Sequence, residues 1–189
     1  NIYSSERTRR VLIENNVLNI TGLNGAQGRI YQIILGPTDV TMRHNTTFTT
    51  SVAYFFTESN PKVDQFVFQD NIISFGDYGF LGTGTSDGLP TLIAYYTNYT
   101  FTKNAIIGGT QFANNYTGLD CFFPLTISDV GFVDYSSGDY HLSSSSPYKN
   151  IGTDGKDLGA DIDALTAALA GAQVVPVSTL PPPQNLRVQ

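Results

Sequence analysis

Four side chains with the chemistry of acids, bases and cations recur at one place in a repeated stretch of the sequence. Each stands one or two residues before an asparagine that closes the stretch, and the four are Arg43, His44, Asp70 and Lys103. If the stretches lie side by side as strands, these groups come within a few strand spacings of one another, as acid–base catalysis requires. They are therefore our candidate catalytic residues. The alternative is a solvated column of corner residues with a surface ion pair between Glu14 and Arg43, which is worth little energy.

Aspartates crowd a second stretch near the end of the chain, and this pattern suits a metal ion. Two glycines lie among them, and the aspartates are Asp154, Asp157, Asp161 and Asp163. Clustered carboxylates with glycine turns can bind Ca²⁺, although the spacing here differs from the common Asp-x-Asp-x-Asp-Gly calcium loop. We therefore keep Ca²⁺ as the candidate cofactor and these four residues as candidate ligands. The alternative is that they are turn residues and helix caps.

The repeated stretch that would position the first set reads apolar, any residue, apolar, any residue, polar, Asn. Its closing asparagines follow one another at intervals of 29, 26 and 33 residues, and its copies are residues 11–16, 40–45, 66–71 and 99–104. Recurrence in this range is typical of repeat architectures, and the alternation predicts a strand with one apolar face. Asparagine also tolerates the left-handed backbone of a corner. If the copies stack, amides about 4.8 Å apart form a structural ladder of Asn16, Asn45, Asn71 and Asn104.

Further strands accompany the copies. Strands are predicted upstream of three copies, at residues 30–36, 52–57 and 92–97. Short apolar strands follow the asparagines, at residues 17–18, 48, 72–73 and 105–107. One repeat is therefore strand, corner, strand, Asn corner, strand and loop.

These residues carry a resemblance to a known family. From about residue 9 to 165 the chain resembles the right-handed parallel β-helix of the pectin-lyase-like superfamily, whose repeats often carry an Asn ladder at one corner. The Ser-Pro turn in 143–148 and the Asp-rich loop in 152–161 resemble the closing segment of secreted bacterial β-helix proteins. The expected fold class is all-β: a right-handed parallel β-helix, or solenoid, with a short C-terminal helix and an extended tail.

The resemblance also implies a function. It favours the C-terminal portion of a secreted or cell-surface bacterial protein that binds or processes polysaccharide. Lyases of this superfamily use a Lys or Arg base with Asp-held Ca²⁺, and its glycosidases use paired Asp, so the parent protein could be a lyase or a glycoside hydrolase. The chain contains no complete catalytic motif of the superfamily, so whether it is an enzyme stays open. The alternative is a non-catalytic surface adhesin or a structural solenoid spacer.

The expected domain organisation has three parts. Residues 1–150 would form β-helix rungs, 151–172 a capping loop and short helix, and 173–189 a Pro-rich linker whose end, 184–188, resembles the first strand of a fibronectin type III module. A helical face formed by Ile162, Leu165 and Leu169 could cover the last rung. Because the first copy begins close to Asn1 and residues 184–188 resemble the start of another module, we expect covalently linked further domains on both sides.

Composition excludes several classes of partner. The net charge is −6 and only 14% of residues are charged, so we expect no nucleic-acid partner. No apolar run approaches about 18 residues, so we expect no insertion into a membrane. A single cysteine excludes an internal disulfide.

Overall fold

A computed structural model describes residues 6–21, 29–50 and 53–170 of the 189-residue chain. The predicted Pro-rich linker 173–189, with its fibronectin-like end, lies outside the described residues. Within them, no helix is both long enough and apolar enough to cross a membrane.

Short strands make up most of the regular structure. In chain order they are β1 (Arg9–Glu14), β2 (Val17–Asn19), β3 (Arg29–Ile34), β4 (Thr38–Arg43), β5 (Thr46–Phe48), β6 (Ala53–Glu58), β7 (Val63–Gln69), β8 (Ile72–Ser74), β9 (Phe80–Gly82), β10 (Tyr96–Thr102), β11 (Asn104–Ile107), β12 (Cys121–Phe122), β13 (Phe132–Asp134) and β14 (Asp139–Leu142). The α-helices are α1 (Leu89–Tyr95) and α2 (Ile162–Ala170), and 3₁₀ helices span Thr110–Tyr116, Ile127–Val130 and Tyr135–Ser137.

The strands assemble into three parallel sheets and one antiparallel pair. Sheet A has the order β1-β4-β7-β10, sheet B the order β12-β11-β8-β5-β2, and sheet C the order β3-β6-β9. Equivalent residues of successive copies face each other in sheet A, where Val11 pairs with Val40, Val40 with Phe66, and Tyr99 with Phe66. The repeat therefore predicted the strand positions and the parallel register of sheet A correctly. In sheet B, the strand after the second asparagine is Thr46–Phe48 rather than residue 48 alone, and Val17 pairs with Thr46.

The predicted fold class, a single all-β right-handed parallel β-helix, is wrong. The described strands form separate parallel sheets of four, five and three strands, none of which is a closed or solenoidal sheet, and helices interrupt them. The fold is therefore a mixed α/β arrangement. The repeat was misleading because recurrence determines which strands pair but not how separate sheets are arranged.

One predicted strand is instead a helix. Residues 92–97 were expected to be extended, but helix α1 occupies Leu89–Tyr95 and β10 starts only at Tyr96. Pro90 lies in the first turn of α1, where its fixed φ and missing N–H favour helix initiation. Helix initiation at Pro90 therefore outweighed the β-propensity of Tyr95 and Tyr96.

The main core lies where the apolar faces of sheets A and C meet the inner side of sheet B. Its aromatic centre is fully buried, and the rings of Phe55 and Phe80 are 4.4 Å apart between centroids. The first and third residues of each copy belong to this core or pack against it, as the alternation predicted. Burial of these side chains from water is the main force that keeps the sheets together.

A C-terminal segment, residues 126–161, covers the other side of sheet B. A second cluster joins four sheet residues, Phe48, Ile72, Ala105 and Ile107, to four segment residues, Val130, Leu142, Tyr148 and Leu158. Residues 122–142 fall within the span 1–150 that was predicted to form β-helix rungs, but β13 and β14 in this stretch pair antiparallel, so these two strands form no parallel rung. Helix α2, which was expected to cover the last rung, has no buried residue; Ile162 and Leu165 are partly exposed and Leu169 is 71% exposed.

Candidate functional site

The candidate site lies along a column of corner residues between sheets A and B. The residue before each ladder asparagine has a left-handed backbone, with φ of 56° at Asn15, 48° at His44, 58° at Asp70 and 52° at Lys103. This conformation lets the chain turn from one sheet into the next. We call these four residues the corner column.

Part of the C-terminal segment crosses this column and is hydrogen-bonded to it. The closing loop, residues 150–161, donates from the Asp161 N–H to Asn15 Oδ1 at 2.6 Å and from the Gly159 N–H to the Asp70 carbonyl at 2.8 Å. The Gly159 carbonyl lies 3.2 Å from His44 Nδ1. The loop is therefore held at three successive corners.

Gly159 makes this close approach because it has no side chain. Its φ is +77°, and a Cβ atom there would stand 2.5 Å from Thr46 Oγ1 and 2.9 Å from Ile72 Cδ1. Both the left-handed backbone and the lack of space favour glycine.

The crossing brings together residues from both candidate sets. His44 Nε2 lies 3.2 Å from Asp154 Oδ2 and 3.8 Å from Asp70 Oδ2. One potential ligand atom from each of the three residues lies within 4.8 Å of the others. His44 and Asp70 are buried, whereas the Asp154 side chain is 41% exposed, so the cluster opens to solvent on the Asp154 side.

Asp70 is a fully buried carboxylate held by neutral donors. Its Oδ1 accepts from the Thr153 N–H at 2.8 Å, and its Oδ2 accepts from the Thr153 hydroxyl at 2.6 Å and from Gln69 Nε2 at 3.1 Å. A buried charge is costly unless a countercharge accompanies it. His44 can supply that countercharge when its ring is protonated.

Asp154 stays ionised more readily than an ordinary aspartate. Partial burial raises the pKa of its carboxyl, but the Lys156 backbone N–H and the nearby charges of His44 and Lys156 outweigh that effect and lower the pKa overall. The Lys156 N–H donates to Asp154 Oδ1 at 3.0 Å. The cluster therefore contains a charged, partly solvated carboxylate beside a buried one.

His44 also lines a cleft of about 650 Å³ between the corner column and the C-terminal segment. The other histidine of the chain, His141, lies in the same cleft with its ring between Asp139 and Asp163. The hydrogen bond to Asp139 raises the pKa of His141 and lowers that of Asp139. Charged groups of both signs line the remaining wall, among them Glu14, Lys149, Lys156, Asp157 and Asp161.

The other two candidate catalytic residues lie in separate ion pairs. Arg43 Nε donates to Glu14 Oε1 at 2.9 Å, which is the cross-strand pair considered as the alternative. Lys103 Nζ lies 2.8 Å from Asp120 Oδ2 and 5.5 Å from the centre of the Phe122 ring. The structure thus brings His44 and Asp70 together and assigns the two cations to other partners.

The four candidate metal ligands do not converge. Asp157 binds Lys149 Nζ at 2.7 Å, Asp161 accepts from the Ala164 N–H at 2.9 Å in the first turn of α2, and Asp163 lies 3.3 Å from His141 Nε2. Asp154 joins the histidine cluster instead. A Ca²⁺ site built from all four aspartates therefore does not match their positions.

The ladder asparagines are hydrogen-bonded in sequence order. Each Nδ2 donates to the Oδ1 of the next member, at 3.0 Å from Asn16 to Asn45, 3.0 Å from Asn45 to Asn71 and 2.9 Å from Asn71 to Asn104. Each Oδ1 also accepts from the backbone N–H of the preceding member. These bonds hold the corners next to the site in register.

Sequence reasoning missed several residues of the site. Thr153, Gly159 and His141 all contact candidate residues, yet none belongs to the repeat. His141 lies in β14, outside the copies of the repeat, and Thr153 contacts Asp70 across 83 residues of chain. No local pattern reports a contact across such a separation.

Comparisons with known proteins add no relative: a scan of family models, a search of curated proteins and a search of solved structures each found no match to this chain. The resemblance to the pectin-lyase-like superfamily is therefore not supported, in agreement with the separate sheets of the fold.

Proposed function

We propose that this chain is a polysaccharide-binding part of a secreted or cell-surface protein, and that the cleft beside His44 holds the glycan. The observation that carries the proposal is the cleft itself, whose volume of about 650 Å³ is that of a typical small-ligand site. Its wall offers carboxylates, ammonium groups and two imidazoles. Sugar hydroxyls both donate and accept hydrogen bonds, so they can use all of these groups.

The balance of charge in the cleft favours a neutral glycan over an acidic one. Two lysines line it against four carboxylates, which belong to Glu14, Asp157, Asp161 and Asp163. Lys149 is paired with Asp157, and Glu14 is paired with Arg43, so the carboxylates of Asp161 and Asp163 remain against the single ammonium of Lys156. Uronic acids would meet a net negative wall, whereas neutral hexoses need only hydrogen bonds.

The contacts of the candidate catalytic residues favour binding over turnover. Arg43 and Lys103 are paired with carboxylates, and Asp70 is buried under Thr153. A general acid or base must reach the proton that it transfers, either directly or through one water molecule. These three side chains instead hold parts of the fold together, which supports the non-catalytic form of the hypothesis.

The test is titration calorimetry with oligosaccharides of several chemistries. We expect neutral oligosaccharides to bind and oligo-uronides of equal length to bind at least several-fold more weakly. Lys156→Ala, in the cleft, should weaken binding several-fold. Lys62→Ala is the matched control, since Lys62 Nζ donates to the Ile93 carbonyl and the side chain does not line the cleft.

Three results would reject the proposal. Depolymerisation with a new absorbance from unsaturated ends would indicate a lyase. No binding to any glycan would favour a structural spacer. Equal losses in both lysine variants would move the binding surface away from the cleft.

A further inference from the structure

We propose that His44, Asp70 and Asp154 form a binding site for a divalent transition-metal ion, with Zn²⁺ as the best-fitting ion. This site differs from the calcium cluster predicted from the aspartates alone, because it contains a histidine and only one of those four carboxylates. It does not depend on the glycan proposal.

The orientation of the His44 ring is the first argument. Nδ1 lies 3.2 Å from the Gly159 carbonyl, and a carbonyl oxygen can only accept, so Nδ1 carries the hydrogen. In the neutral ring Nε2 then has a lone pair, and the Nε2 atom lies 3.2 Å from Asp154 Oδ2 and 3.8 Å from Asp70 Oδ2. Three acceptors face one another, and this arrangement is stable only when a cation, either a proton or a metal ion, lies among them.

The surroundings of His44 and Asp70 are those of ordered metal ligands. Metal-binding histidines usually donate their second ring N–H to a carbonyl or carboxylate, as His44 does to Gly159. Ligating carboxylates are in turn hydrogen-bonded, as Asp70 is to the Thr153 N–H and hydroxyl. The half-exposed Gln69 amide also donates to Asp70 Oδ2 and is the contact that a metal ion would replace.

The distances suit zinc. Tetrahedral zinc with bonds of about 2.0–2.1 Å places neighbouring ligand atoms roughly 3.3 Å apart. The distance from His44 Nε2 to Asp154 Oδ2 is already 3.2 Å, and the distance to Asp70 Oδ2 of 3.8 Å needs a shift of about half an ångström. Asp154 is 41% exposed, so solvent can supply the fourth ligand.

The donor set favours a transition metal over calcium. An imidazole nitrogen is a good ligand for zinc, copper, nickel and iron, whereas Ca²⁺ takes six to eight oxygen ligands. Here two carboxylates and one imidazole converge, and the other aspartates of the closing loop have separate partners.

The experiment is a titration of the full chain with Zn²⁺ at neutral pH. Binding is measured by calorimetry and by the shift in melting temperature. We expect one Zn²⁺ per chain and a rise in melting temperature. His44→Gln should weaken binding by more than about 100-fold, which exceeds the usual effect of losing an outer-shell partner. Asp154→Asn, at a half-exposed position with little effect on folding, should weaken it at least about tenfold.

The matched control is His141→Gln. His141 is the other histidine of the chain and also lies beside two aspartates, so it is the competing location for an adventitious ion. The His141→Gln substitution should leave the affinity for Zn²⁺ unchanged. The proposal is overturned if the wild-type chain binds no Zn²⁺, if His44→Gln and Asp154→Asn bind as well as wild type, or if His141→Gln alone abolishes binding. Absence of Zn²⁺ binding together with a protonated His44 ring in NMR spectra would identify the proton as the cation.

Discussion

Replacing Asn71 with alanine tests how much stability the ladder contributes. Asn71 is fully buried, and its Nδ2 donates to Asn104 Oδ1 at 2.9 Å and to the Met42 carbonyl at 3.2 Å. Its Oδ1 accepts from the backbone N–H and from Nδ2 of Asn45, both at 3.0 Å. The substitution removes all of these bonds and leaves a small cavity.

The expected loss of stability depends on which hydrogen-bond partners of Asn71 keep another bond after the substitution. Asn45 Nδ2 keeps the carbonyls of Ile13 and Arg43, and Asn104 Oδ1 keeps the backbone N–H of residue 71. The buried backbone N–H of Asn45 loses its acceptor, which costs about 1–3 kcal/mol, and each of the other lost bonds costs about 1 kcal/mol. With that N–H unsatisfied and three further bonds lost, we expect Asn71→Ala to lower the free energy of unfolding by about 4–6 kcal/mol.

The assay is urea unfolding followed by circular dichroism, with Asn16→Ala as the matched control. Asn16 is at the end of the ladder and half-buried, and among the described residues its Nδ2 donates to Asn45 Oδ1 and to the Glu14 carbonyl, so its loss should cost about 2 kcal/mol. The slope m should stay unchanged in both variants. Equal losses at Asn16 and Asn71, or a loss below about 1 kcal/mol at Asn71, would refute the argument that buried ladder bonds stabilise the fold.

Two further predictions concern the closing loop and the cleft. Gly159→Ala should destabilise by about 2–4 kcal/mol, because a left-handed alanine is strained and its Cβ meets Thr46 Oγ1; Gly118→Ala is the control, with φ +85° and nothing within 4 Å of the added carbon. Equal melting temperatures for the two variants would show that the close approach does not matter. In an NMR titration His141 should have a pKa above its ordinary value of 6.5, and Asp139→Asn should bring it back down. Because the pKa of His141 is raised in the folded state, its hydrogen bond to Asp139 stabilises the fold fully below pH 6.5, and this stabilisation is lost as the pH rises through the folded-state pKa. A His141 pKa at or below 6.5 in the wild-type chain would contradict the contact.

Local pattern predicted the strands of the repeat because each one carries its own signal. The alternation at Val40 and Met42 determines which face is buried, and a one-residue slip would expose both side chains. The asparagine at the end of each copy supplied the corner. Equivalent residues then pair with one another, because each copy of the repeat places its apolar face against the same core.

The fold class and the site could not be read from the same pattern. The alternation of residues within one strand does not determine how separate sheets lie relative to one another. The repeat also carries no information about the C-terminal segment on the other side of sheet B. The segment docks through Leu158 and Tyr148, which belong to a loop of turn residues rather than to any periodic stretch. The contact of Thr153 with Asp70 depends on that docking.

The corner column gives a physical reason why the site lies where it does. A left-handed corner ends one strand and begins another, so the side chains of His44 and Asp70 stand beside the sheet rather than within its pleat. The same two residues receive the closing loop, through the Gly159 carbonyl and the Thr153 N–H, and that loop carries Asp154. Docking of the loop and assembly of the cluster are therefore a single event. Any cation that binds the assembled cluster stabilises the docked loop by mass action, because the undocked loop lacks the third ligand. Loop docking and occupancy of the site are thus thermodynamically linked in this chain.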